Sequence, residues 1–157
     1  MMMKFTVKIG IILSVLFTAM SSSAQINPKK IKYWVGSGQD TAYLAVNFLD
    51  TWNQHSHVWG YLYDGTETID GLIGDVHIAD TNISITKETE IENVTMGYTI
   101  KDNSATSSWN IFSSDLLITD WTEGLVLTDE LVNGTVYGVA FNEDESVGGD
   151  NPRPLNS

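Results

Sequence analysis

The chain has 157 residues, no cysteine, and twenty acids against eight bases, a formal net charge of −12. A surface this acidic repels phosphate backbones and anionic lipid, which excludes nucleic-acid binding and docking on charged membrane surfaces. The missing thiols remove disulfides, thiolate catalysis and zinc–thiolate or iron–sulfur chemistry, so stability has to come from packing.

Residues 1–24 read as an export signal. Lys4 and Lys8 form a positive start, an apolar run covers 9–20, and Ser22-Ser23-Ala24 places small residues before Gln25. That order predicts cleavage after Ala24. The apolar run is too short to span a bilayer as a mature helix, and no later stretch approaches that length. No cysteine follows it to carry a lipid anchor. The expectation is a secreted, periplasmic or cell-surface protein without membrane insertion. With the leader lysines removed, six bases remain against twenty acids, a net −14 over 133 residues. That is enough chain for one domain with a core. The domain is placed at 25–143. An acidic tail at 144–157, without hydrophobic periodicity, is expected to be disordered.

Residues 27–30 read as a short exposed leader, and 31–35 as a strand broken by Gly36-Ser37-Gly38. These glycines are not a phosphate loop, since neither a Gly-Lys-Ser/Thr continuation nor a third spaced glycine follows. Over 42–48, Ala42, Leu44, Val46 and Phe48 alternate with the neighbours Tyr43, Ala45 and Asn47, the period of a half-buried strand. A polar loop carrying Trp52 leads to a second strand at 57–63, with Trp59, Tyr61 and Tyr63 on one face. Asp64-Gly65 ends it, and the two strands are expected to pair antiparallel. Residues 66–79 hold the single helical pattern. Ile69, Leu72, Ile73 and Val76 recur at helical spacing and Thr68 is placed to cap. Gly71 and Gly74 each weaken this helix by about 1 kcal/mol relative to alanine.

Ile83 and Ile85 mark a short strand, and 90–100 reads as a longer one with Val94, Met96, Tyr98 and Ile100 on one face. After a polar turn at 102–106 come Trp109, Ile111 and Phe112, then Trp121, then Gly124-Leu125-Val126. Asn133-Gly134 follows, the strongest short hairpin signal because both residues accept the positive φ of a type I′ turn. A strand over 135–141 closes the pattern. The fold class is α+β, a mostly antiparallel β sheet with one short helix.

His55 and His57 stand two apart, a spacing that puts both on one strand face and suits a metal, although no third or fourth ligand can be named; a pair of loop histidines is the alternative. His77 reads as a surface residue of the helix. Carboxylates are plentiful, but none stands paired in an apolar setting, and no nucleophile elbow or zinc-protease motif is present. The chain is therefore not expected to be an enzyme. Glu143, Asp144, Glu145 and Asp150 lack calcium-loop spacing and read as a solvated acidic run. Among five tryptophans, Trp52, Trp109 and Trp121 adjoin polar loops and are candidates for stacking on a ligand, with core packing the alternative for each.

From Trp109 onward the order of motifs, SSWNIF, EGLVL, LVNG and TVYGVAF, resembles the C-terminal β-domain of the transcobalamin and intrinsic-factor proteins and its small secreted relatives in Bacteroidetes. NVTMGYTIKDN resembles the family's glycine-containing strand ahead of the Trp motif, and GTETIDGLIGDV falls where the family has its helix. The upstream YWVGSGQDTAYLAVNF and SHVWGYLYDG look like secreted proteins of this type, so the likeness spans about residues 31–143. Ser108 stands where the family usually has Tyr, and Gly71 and Gly74 where it has larger residues. The resemblance implies a transcobalamin-like domain that binds a small ligand, cobalamin or a related corrinoid, ahead of a TonB-dependent outer-membrane receptor. It would do so alone or with a partner, because these residues hold no counterpart of the family's large helical domain. Trp109 matches the family's cobalamin-facing Trp. On that reading Trp109 and Phe112 form an aromatic wall, Ser113 and Asp115 bond the rim, and His55 or His57 reaches cobalt. The alternative is a protein- or glycan-binding surface module that uses exposed aromatics.

Overall fold

The computed structural model describes residues 26–48, 56–104, 107–118 and 120–142. The export signal, Trp52, His55 and the acidic tail lie outside the described residues. In chain order the elements are a 3-10 turn at Pro28–Lys30, β1 (Trp34–Gly36), β2 (Asp40–Asn47), β3 (His57–Tyr63), α1 (Ile69–Ala79), β4 (Ile83–Lys87), β5 (Ile91–Met96), β6 (Thr99–Asp102), β7 (Ser108–Ser114), β8 (Thr122–Glu123) and β9 (Thr135–Asn142).

The strands form a six-stranded sheet in the order β1-β3-β2-β9-β7-β8 and a three-stranded sheet in the order β4-β5-β6. Pairing is mostly antiparallel, including the expected β2–β3 pair. Two pairs are parallel, β1 with β3 and β2 with β9. The class is α+β, with one short α-helix among the described residues, as the patterning predicts.

β2 differs from its predicted half-burial. Leu44 and Val46 face one side, Tyr43 and Ala45 the other, and all four are buried. The first side carries the main core, where α1 and the small sheet cover Leu44, Trp59, Tyr61, Tyr137 and Val139. On the second side a smaller core gathers Tyr43, Ala45 and Val136 beneath Ile26 and Ile118. Residues 27–30 are largely exposed, as expected, but Ile26 just before them is buried, and its N–H donates to the Leu116 carbonyl at 3.0 Å. Ile118 reaches this core with φ at +49°, a left-handed conformation unfavourable for a β-branched residue.

The helix forms where its apolar spacing predicts, with Ile69, Leu72, Ile73 and Val76 buried. Its N-terminal amides have no partners within the helix. The Thr68 hydroxyl accepts from Gly71 N–H at 3.2 Å. The crossing segment 127–131 supplies the other acceptors: Ile69 N–H donates to Asp129 O at 3.0 Å and Asp70 N–H to Leu127 O at 2.8 Å. Lys87 pairs with Asp70, tying the small sheet to the first helical turn. At the other end His77, expected on the surface, is half-buried and its Nδ1 accepts from Ile85 N–H at 3.1 Å.

Two turns depart from expectation. The strand predicted over 90–100 is a hairpin, with Met96 opposite Thr99 and Gly97 at φ +59°. A glycine with positive φ at the first of two loop residues is the type II′ pattern, so Tyr98 is a fully exposed turn residue. Asn133-Gly134 is a turn but not a hairpin loop. Only Gly134 has positive φ, which is the type II pattern, and the strand it launches runs parallel to β2. The Asn133 carboxamide oxygen accepts from Thr41 N–H at 2.9 Å and fixes the start of that pairing.

Replacing Thr68 with alanine removes the cap while the backbone acceptors from 127–131 remain. Urea unfolding should show a loss of about 1 kcal/mol with an unchanged m-value.

Candidate functional site

Trp109 sits in the main core at 5% exposure. Its indole lies between Phe48 at 5.4 Å and Phe141 at 5.2 Å, and its Nε1 donates to the Lys101 carbonyl at 3.0 Å. The Lys101 ammonium stands 5.1 Å above the Phe141 ring. Phe112 is also buried, but on the other side of the sheet, edge-on to Trp121 at 6.4 Å. An offset of three along a strand puts two side chains on opposite faces. Trp109 and Phe112 therefore form no common wall.

The other candidates are dispersed as well. Ser113 is half-buried in β7, and Asp115 is exposed, its carboxylate accepting from Leu117 N–H at 3.0 Å. His57 lies on the row His57–Val46–Val139–Ile111, three strands away from β7. At ~4.8 Å per strand that is roughly 14 Å. Its ring is tilted against Trp59 at 6.4 Å. Among the described residues no group of three or more His, Asp or Glu side chains is placed to hold a metal ion.

Charge-assisted hydrogen bonds tie α1 to the large sheet. Tyr61 donates to Asp75 at 2.8 Å, and burial together with this carboxylate pushes the phenol above its ordinary range. Trp59 Nε1 donates to Asp80 at 3.0 Å, and Asn82 donates to the same carboxylate from its backbone and side chain. Burial alone would raise the Asp80 pKa, but these donors and the nearby His57 outweigh it and leave the carboxyl below its usual value.

Among the described residues, two surface features bear on ligand binding. One is a cavity of about 250 Å³ floored by Trp109, Asn110 and Ile111 and walled by residues 89–91 and 124–127. The other is at the β1 edge. Trp34 pairs laterally with Gly60, and its indole lies across that glycine: a Cβ at Gly60 would meet three ring carbons at 2.5 to 2.7 Å. Tyr43, on the far side of Gly60, touches the indole edge-on at 6.0 Å. The ring is thereby fixed from beneath while 42% of the residue stays exposed, and Tyr33 beside it is 61% exposed. Trp34 was not among the stacking candidates read from sequence. The available signal was Gly60 between Trp59 and Tyr61, since a glycine inside a strand invites an aromatic cover.

Compared with protein-family models, curated proteins and solved structures, the chain matches none.

Two outcomes follow from this geometry. Trp109→Ala should destabilise the domain by about 3–5 kcal/mol, measured by denaturant unfolding, as expected for a buried indole. Because the native Asp80 pKa is lowered, its contribution is fully present above the ordinary carboxylate value of about 3.9 and is lost as pH falls through the lowered native value. Thermal melts between pH 2 and 6 should therefore show a smaller acid-induced loss in Asp80→Asn than in the parent.

Proposed function

We propose that this domain is a surface recognition module whose ligand is a carbohydrate stacked on Trp34. The supporting observation is the pre-set indole at the β1 edge, held on Gly60 and Tyr43 with its outer face open. A rigid aromatic face is chemically suited to the C–H-bearing face of a sugar ring. It loses little rotamer freedom on binding, because the fold has already ordered it. Lys32, two residues before it in the chain and exposed, supplies an ammonium group for sugar hydroxyls.

The corrinoid reading rests on the motif resemblance and on the cavity beside Trp109. At about 250 Å³ this cavity is smaller than the roughly 300–1,000 Å³ of small-molecule sites, and the Trp109 indole is buried in the core against Phe48 and Phe141. A corrinoid would therefore be held mainly by its edge, with a partner protein covering the rest.

A glycan array followed by calorimetry on the best ligand separates these readings. The proposal expects saturable glycan binding that Trp34→Ala weakens at least tenfold, with the far-ultraviolet spectrum unchanged. Gly60→Ala, which displaces the indole, should weaken it as well. Absence of any glycan binding would overturn the proposal, and micromolar cobalamin binding would favour the corrinoid reading.

A further inference from the structure

The edge of β7 has an unfilled place for one strand. On its inner side β7 pairs with β9 from Ser108 to Ser114. On its outer side β8 covers only Phe112 and Ser113. Gly124, at φ +80°, then turns the chain away, and among the described residues no strand lies beside 108–111 on that side. The N–H of Trp109 donates to Asn103 Oδ1 at 2.9 Å rather than to β9, so it marks the outward-pointing set of backbone groups. In an antiparallel ladder these groups alternate, which leaves the Trp109 carbonyl and the Ile111 N–H aimed into the gap.

The gap coincides with the 250 Å³ cavity between residues 89–91 and 124–127. That volume suits one large side chain. Ile91, Ile111 and Leu127 line it with buried apolar groups, and Val126 at its rim is 52% exposed. Natural edge strands are commonly blunted by lysine, proline or a bulge. The sequence Ser108-Trp109-Asn110-Ile111 has no lysine or proline, and its register with β9 runs without a shift.

We propose that this edge binds an extended peptide by strand addition, with one apolar side chain in the cavity and basic residues flanking it. Charge selects that occupant. Glu88, Glu90 and Glu123 are exposed on the segments bordering the gap. The chain's own sequence after residue 142 is acidic, so like charge disfavours it as the occupant. Strand addition takes its affinity from main-chain bonds and its selectivity from alternate side chains.

The probe is an acetylated, amidated heptapeptide alternating lysine with valine or leucine, carrying a fluorophore and titrated into the protein from residue 25. Anisotropy should show saturable binding, lost when glutamate replaces every lysine. N-methylation of the backbone amides on one set of alternate residues should weaken binding at least tenfold, while N-methylation of the other set leaves it within threefold. Nuclear magnetic resonance shifts should concentrate at Ile111 and residues 124–127, and Glu90→Lys should weaken binding several-fold. Trp34→Ala should leave it unchanged, which separates this site from the carbohydrate platform. Equal sensitivity to both N-methyl patterns, shifts centred elsewhere, or no saturation below millimolar would each overturn the proposal.

Discussion

The structure depends on the parallel contact between β2 and β9. β2 is buried on both faces, and a strand so placed has to satisfy its backbone on both edges within the protein. β3 supplies one edge from nearby in the chain. The other waits for the last described strand, joined to β2 through Asn133 and Thr41 at a separation of 92 residues. Everything between has to be accommodated in that connection. The helix and the small sheet cover one face, and the 127–131 segment crosses the helix N-terminus before β9 enters the centre. Contacts so distant in sequence make for slow folding, because the closure entropy is spent before the contacts form. Without a disulfide, packing and hydrogen bonds hold the result together.

Much of this was legible in the sequence because local pattern and tertiary role agree. The helix follows from Ile69, Leu72, Ile73 and Val76, and its cap from Thr68. The β2–β3 pair follows from two alternating runs. What was not legible is set by partners outside the local window. Tyr43 and Ala45 read as an outward face because nothing local announces that Ile26 and Ile118 will cover them. The Gly97-Tyr98 turn was hidden because the apolar alternation continues through it. Asn133-Gly134 gave the turn correctly but not its consequence, since a local signal does not say which strand β9 will meet.

The candidate site was less legible than the fold. Trp109 and Phe112 are close in sequence and look like one aromatic cluster, yet strand geometry places them on opposite faces of the sheet. Trp34 looked like one tryptophan among five, and its open face depends on Gly60 across the β1–β3 pair. The charge pattern, by contrast, carried directly from composition to surface: the acids at 88, 90 and 123 border the open strand edge.

The second core contains a local balance of opposing terms. A β-branched residue in the left-handed region costs of order 1–3 kcal/mol, and burying an isoleucine side chain returns about 1.5–3 kcal/mol. At Ile118 the two nearly cancel. The segment that lays Ile118 over Tyr43 and Val136 is thus held down with little surplus, although the strands beneath it belong to the most buried part of the domain. Its opening would release the Ile26–Leu116 hydrogen bond and wet one side of β2 without disturbing the helix-covered side. In native-state hydrogen exchange this face would open as a separate unit, at a free energy well below that of global unfolding.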